Sequence, residues 1–153
     1  MDNSALKIDG VLLNKLNQFH DQRGAVYHCI KSSSAGFTGF GEVYFSKIFS
    51  KVVKGWKLHK NSCQNFCVPY GKLKVVLFDN RSESATKGLI DEIYLNDSDQ
   101  YCRLTIPQGI WYGFQSLSDD FTLLTNLINI EHDPSETENL PLDSSEIKYQ
   151  WIL

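Results

Sequence analysis

The chain has no apolar run approaching the roughly 18 to 20 residues that a membrane-spanning helix needs, so no membrane partner is expected. Its first residues, Met1-Asp2-Asn3-Ser4, lack the basic-then-apolar pattern of a secretory signal. A cytoplasmic location is the resulting expectation. Basic residues are not in excess. Fifteen Lys and Arg stand against 18 Asp and Glu, a formal net charge of −3, which excludes a global attraction for nucleic acid. An anionic ligand must therefore be held by a local basic cluster. The four cysteines, Cys29, Cys63, Cys67 and Cys102, contain no CxxC pair and read as buried thiols in a reducing compartment. Cys63 and Cys67 with His59 fall short of a closed zinc site, which takes a fourth ligand and usually tighter spacing. There is no internal repeat, no linker and no long amphipathic helix, so residues 1–153 read as one domain.

What remains is a chain 42% apolar and 22% charged, as in ordinary globular proteins, with short segments rich in Val, Ile, Phe, Tyr and Leu between turn residues. That pattern predicts an all-β sandwich or barrel of the jelly-roll kind. Strands are expected over Leu6–Leu13, Ala25–Ile30, Gly41–Phe49, Leu73–Asp79, Leu89–Leu95, Tyr101–Ile106 and Phe121–Ile130. In the third of these, Glu42, Tyr44, Ser46 and Ile48 share one face, and Val43, Phe45, Lys47 and Phe49 the other. The acidic, Pro/Ser-rich stretch from Asp133 to Ser145 reads as a surface loop with at most a turn of helix. Ile147–Leu153 closes the chain as an apolar, docked segment.

Two stretches carry candidate chemistry. In Val53-Lys54-Gly55-Trp56-Lys57-Leu58-His59-Lys60, read as a strand, Lys57 and His59 leave one face and Trp56 and Leu58 the other. Two nitrogen bases on one wall suit proton transfer or anion binding. In Ile106-Pro107-Gln108-Gly109-Ile110-Trp111-Tyr112-Gly113-Phe114, a Pro-x-Gly turn aims the following strand back toward such a site. Gln64-Asn65-Phe66-Cys67-Val68-Pro69-Tyr70-Gly71 continues from the first stretch.

The order Lys57-x-His59, Gln64, Gly71 and then Pro107-x-Gly109-x-x-Tyr112 resembles the two motifs of the cupin superfamily, His-x-His…Glu…Gly and Pro-x-Gly-x-x-His. Within it the chain is similar to the dTDP-4-dehydrorhamnose 3,5-epimerase family. The matching segments are Asp21 to Gly24, Lys54-Gly55-Trp56-Lys57, the loop Asp79, Arg81, Ser84, Thr86 and Gly88, and Ile106 to Phe114 except at Tyr112. The departures fall on functional positions. Lys57 stands at the place of the family's catalytic His, Gln64 at that of a pocket Lys, and Asn126 at that of the catalytic Tyr. No Asp follows at the C-terminal position that orients the family's His. The Lys57-Leu58-His59-Lys60 run with Gln64 also echoes the dTDP-sugar 3,4-ketoisomerases.

The resemblance implies a jelly-roll fold, a nucleotide-linked 4-keto sugar as ligand, a homodimer, and epimerisation next to the carbonyl in surface-polysaccharide biosynthesis. His59 and Lys57 are the candidate bases and Tyr112 the candidate acid. Gln64 and Asn126 are candidates to hold a hydroxyl or keto oxygen. Glu42 and Tyr44 are candidates to line the pocket, and Arg103 and Lys54 to bind diphosphate. No metal or other cofactor is expected, because Lys57, Gln64 and Tyr112 replace three of the four cupin ligands. A 3,4-ketoisomerase and a non-catalytic sugar-nucleotide-binding module remain the alternatives.

Overall fold

Alternating apolar and polar residues along short β-rich segments become two facing sheets in the computed structural model, which describes residues 6–152. Residues 1–4, read above for a signal, and residue 153 of the closing apolar segment lie outside that range. The strands are β1 (Leu12–Lys15), β2 (Gln18–Asp21), β3 (Gly24–Tyr27), β4 (Glu42–Phe49), β5 (Val53–His59) and β6 (Gln64–Tyr70). They continue with β7 (Lys72–Asp79), β8 (Ile90–Asn96), β9 (Cys102–Ile106), β10 (Ile110–Ser116), β11 (Phe121–Ile128) and β12 (Thr137–Asn139). One sheet has the order β1-β9-β6-β11-β4 and the other β12-β5-β10-β7-β8, while β2 and β3 form a separate hairpin. All pairings are antiparallel. This is the all-β, cupin-type jelly-roll sandwich expected from the sequence.

The core between the sheets is built from inward positions that the alternation supplies, among them Ile48, Phe66, Val68, Leu73, Val75, Leu77, Leu104, Ile110 and Leu124. Each such buried side chain contributes about 1.5–3 kcal/mol through removal from water. On β4, Tyr44, Ser46 and Ile48 turn inward and Val43, Phe45, Lys47 and Phe49 outward, as the pattern predicts.

The outer face of the second sheet is also covered. Trp56, Val76 and Trp111 pack there with Ile147, Tyr149 and Trp151 of the closing segment, and the Trp56 and Trp151 rings lie 5.3 Å apart. Gln115 Nε2 holds the Ile152 carbonyl at 2.7 Å. Trp56 and Leu58 therefore leave the face opposite Lys57 and His59.

Three expectations shift in detail. Only the end of Leu6–Leu13 is strand; Ile8 and Val11 are buried in the core from an irregular lead-in. The third strand stops at Tyr27 rather than Ile30. The acidic tail is not all surface loop. A 3-10 turn, Pro134–Glu136, capped by the Asp133 carboxylate, leads into β12, which pairs with β5 in the register Thr137↔His59 and Asn139↔Lys57.

The loop matching Asp79…Gly88 serves structure. The buried Asp79 carboxylate accepts from Arg81 Nε (2.9 Å), Ser84 Oγ (2.6 Å) and Thr86 Oγ1 (2.7 Å). Burial alone would raise its pKa, but these bonds hold it well below the carboxylate range.

Candidate active site

Strand β5 does not run straight past β10. Tyr112 pairs with Lys57 and Phe114 with Lys54, so Gly113 alone faces the pair Gly55–Trp56. The extra residue is a β-bulge. It resets the alternation, so that Lys54 and Lys57, three residues apart, both line the same cavity. Gly55 makes this possible. Its φ is +150°, and a Cβ there would lie 2.7 Å from the Gly113 Cα, a contact only two glycines tolerate.

The cavity, of about 260 Å³, opens between the sheets. The first sheet contributes Tyr44 and Ser46 of β4, Phe66 of β6, and Leu124 and Asn126 of β11. The second contributes Lys54, Gly55, Trp56 and Lys57 of β5, Tyr112 and Phe114 of β10, and Asn139 of β12. Neither the Lys54 nor the Lys57 side chain makes a hydrogen bond or ion pair among the described residues. Two unpaired ammonium groups give the cavity a positive wall suited to an anionic ligand.

His59 sits one step back. It is 2% exposed, and its Nε2 lies 3.0 Å from the Tyr112 hydroxyl, so Tyr112 stands between it and the cavity. The Pro-x-Gly turn fixes this meeting, because Gly109, at φ +82°, donates its N–H to the His59 carbonyl at 2.7 Å. On the other side, His59 Nδ1 lies 2.5 Å from Glu136 Oε1. Glu136, 4% exposed, also accepts from the N–H groups of Asn61 (3.1 Å) and Ser62 (3.3 Å) and from Ser62 Oγ (2.9 Å).

Burial works to raise the Glu136 carboxyl, but the hydrogen bonds from His59, Asn61 and Ser62 outweigh it and bring it down to about 2. Burial, helped by the Lys57 and His132 charges, holds His59 below its ordinary value against the pull of Glu136. We assign a neutral imidazole whose Nδ1–H donates to the carboxylate, leaving Nε2 to accept the Tyr112 O–H. Burial, with smaller contributions from Tyr44 and Glu136, raises the Tyr112 phenol, so it keeps its proton at rest.

A second string of bonds crosses to the opposite wall. Ser62 Oγ accepts from Gln64 Nε2 (2.8 Å), Gln64 Oε1 accepts from Asn126 Nδ2 (2.7 Å), and Tyr44 Oη accepts from the same amide (2.8 Å). Tyr44 is thereby fixed with its own proton free to point into the cavity. Burial raises its pKa against the pull of the Asn126 amide. Tyr44 and Tyr112 thus face one cavity from different sheets.

Of the residues singled out in the sequence, Lys54, Lys57, Tyr44, Asn126 and Tyr112 meet at this cavity, with His59 and Gln64 directly behind it. Glu42 does not line it; its carboxylate holds the His132 N–H at 2.8 Å. Arg103 is not there either. It lies on the outer face of the first sheet, where β9 alternation sends it while Leu104 and Ile106 enter the core, and its guanidinium binds the carbonyls of Cys29 and Ala35. Glu136, Ser62 and Asn139 were not anticipated. Asp133-Pro134-Ser135-Glu136 has the form of a capped turn, but nothing in it announces that the Glu is buried. Among the described residues no three His, Cys, Asp or Glu side chains gather as a metal-binding set.

Comparison with known proteins agrees with this architecture. The dTDP sugar isomerase from Desulfovibrio desulfuricans G20 superposes with a TM-score of 0.93 at 37% identity, over 97% of this chain and 94% of that one. The probable low-salt glycan biosynthesis epimerase Agl13 of Haloferax volcanii is 32% identical over 137 residues, 86% of each chain. The spore coat polysaccharide biosynthesis protein SpsL of Bacillus subtilis (strain 168) is 28% identical over 146 residues, 94% of this chain and 96% of that one. A family model for dTDP-4-dehydrorhamnose 3,5-epimerase matches residues 5–153, and the chain belongs to that family.

Proposed function

We propose that the protein epimerises a nucleotide-linked 4-keto sugar for surface-polysaccharide synthesis, without a metal, and that Tyr112 and Tyr44 carry the protons. The observation that supports this is the pair of phenols on opposite walls of one cavity, Tyr44 half-buried and Tyr112 buried, the latter backed by His59 and Glu136. Inversion at a carbon next to a ketone removes a proton from one face and returns one to the other. Tyr112 takes the α-proton as its own phenolic proton passes to His59 Nε2, and Glu136 stabilises the imidazolium that forms. Lys57 holds the developing enolate oxygen, and Tyr44, its oxygen held by the Asn126 amide, delivers its proton from the far side. Lys54 meets the diphosphate at the rim. In this reading Tyr44 does the work of the family's catalytic Tyr, whose sequence position holds Asn126, and Glu136 does the work of the orienting Asp.

The test is solvent exchange in deuterated buffer with a dTDP-linked 4-keto-6-deoxy sugar, followed by NMR. Tyr112→Phe and His59→Asn should each slow deuterium uptake by roughly 100-fold, the usual scale for a general base. Tyr44→Phe should retain uptake but lose inverted product. Uptake that survives in Tyr112→Phe would defeat the assignment. Movement of the ketone without inversion would select the 3,4-ketoisomerase, and tight binding without exchange in the wild type the binding module.

A homodimer and a cytoplasmic location are part of the same proposal. The four cysteines stand as free thiols, in keeping with a reducing compartment, and the outer face of β4 leaves apolar side chains uncovered.

A further inference from the structure

Behind the first sheet, away from the substrate cavity, the linker between β3 and β4 folds back over β6 and β9. Gly36 rests against Thr105 so closely that a Cβ would lie 2.8 Å from its side chain. This fold-back brings Cys29 Sγ to 2.8 Å from Cys67 Sγ, although 38 residues separate them in sequence. Cys67 is buried on the outward face of β6, whereas Cys29 is partly exposed and lines a separate cavity of about 310 Å³. Lys15, His28, Lys31 and Arg103 contribute to that cavity, and among the described residues no acidic side chain does.

Arg103 is the unusual member. It is 3% exposed, yet among the described residues its guanidinium binds only neutral oxygens: Cys29 O at 3.0 Å, Ala35 O at 2.8 Å and Asn14 Oδ1 at 3.3 Å. Its Nε has no partner among the described residues. A buried cation without a carboxylate is costly unless some other anion answers it. The group that can become one here is the Cys29 sulfur.

We propose that Cys29 and Cys67 form a thiol–disulfide site, in which Cys29 attacks a small disulfide and Cys67 resolves the adduct, pinning the β3–β4 linker to β6. The sulfurs need to close by less than about 1 Å to reach bonding distance. The contact with Cys67 and the charge of Arg103 hold the Cys29 thiol below its ordinary value despite burial, which favours the thiolate that attacks. Cys67, beside that sulfur and more deeply buried, is pushed up; it keeps its proton until Cys29 has reacted.

The steps balance. The Cys29 thiolate attacks one sulfur of a disulfide such as oxidised glutathione, forming a mixed disulfide and releasing one glutathione thiolate. Cys67 gives its proton to that thiolate and attacks the Cys29 sulfur, and the second glutathione leaves as a thiolate that takes a proton from water. The two protein thiols lose two electrons, and the small disulfide gains them. Cys63 and Cys102 have no thiol neighbour within hydrogen-bond distance and stay reduced.

The test treats the fully reduced protein with oxidised glutathione, traps remaining thiols with iodoacetamide, and maps peptides without reduction. The expected product links Cys29 to Cys67 and leaves Cys63 and Cys102 alkylated; it melts several degrees higher, and dithiothreitol reverses the gain. Cys67→Ser should accumulate the Cys29–glutathione adduct, and Cys29→Ser should leave Cys67 unmodified. In reduced protein, Cys29 should alkylate at least about 10-fold faster than Cys63. Four alkylated cysteines after oxidant, a persistent Cys29 adduct in the wild type, or a link between another pair would each overturn the proposal.

Discussion

Glu136 is the residue on which the site's charge balance turns. It lies 77 residues from His59 in sequence, and its carboxylate keeps the imidazole oriented and basic toward Tyr112. Its ionisation also couples folding to pH. A carboxyl lowered on folding from an ordinary value near 4.5 to about 2 contributes stability that is fully present above pH 4.5 and lost as pH falls toward 2. That contribution is about 3 kcal/mol at its largest. His59, also lowered, acts with the same sign: its contribution begins to fade as pH drops below about 6.5. The wild type should therefore lose urea resistance steadily from pH 6.5 to pH 3. Glu136→Gln should be less stable by about 2–4 kcal/mol at pH 7, because it leaves buried donors poorly matched, and its stability should vary less with pH below 5. Parallel pH profiles for the two proteins, from urea midpoints, would show that Glu136 is not the coupled group.

Among the elements, β5 decides the geometry, and its bulge is where simple alternation stops being a guide. Strict period-two reading places Lys57 and His59 together and Trp56 opposite, and the sandwich agrees. The same reading sends Lys54 out with Trp56, whereas the bulge at Gly55 turns it into the cavity. Most strands were legible, because half-buried sheets impose their period on the residues directly. The Tyr112–His59 contact was legible only as a motif, since it depends on the register of β10 against β5. Glu136 was not legible at all; its burial comes from β12 pairing with β5, and three residues carry too little pattern to announce a strand. Arg103 misled because a guanidinium reads as a phosphate ligand whatever face it occupies. Gly55→Ala tests the bulge. It adds a Cβ against backbone at 2.7 Å in a strained φ, so it should cost about 2–4 kcal/mol and weaken nucleotide-sugar binding. Gly24→Ala is the control: its φ is also positive, +146°, but nothing lies within 4 Å of the added carbon, so it should cost only about 1 kcal/mol. Equal losses in urea midpoint would mean that backbone conformation, not the close approach to Gly113, is what Gly55 supplies.

On the scale of the whole molecule, the two sheets are finished differently. The second sheet is covered on its outer face by the closing apolar segment, with three tryptophans in the seam. The first is covered by the β3–β4 linker over β6 and β9, where Cys29 meets Cys67 and Gly36 meets Thr105. Its edge strand β4 keeps an open side, and its outer face presents Phe45 at 64% and Phe49 at 65% exposure, beside Val43 and Phe40. Lys47 spans the Phe121 ring at 4.4 Å and shields part of this surface, but not Phe45. Scattered single apolar residues are ordinary on a surface, whereas a contiguous aromatic strip on an edge strand marks an interface or an aggregation hazard. A second copy can cover the strip by two-fold symmetry, setting the same face of each chain against the other. Burying two phenylalanines per chain supplies a desolvation gain of several kcal/mol, so a charge placed at the centre should be badly tolerated. The wild type should scatter light as a dimer at micromolar concentration. Phe45→Glu should shift the mass toward the monomer while circular dichroism retains the β signal, because the substituted side chain faces solvent in the single chain. A wild-type protein that is monomeric at that concentration would refute the dimer, and a dimer unmoved by Phe45→Glu would place its interface elsewhere on the molecule.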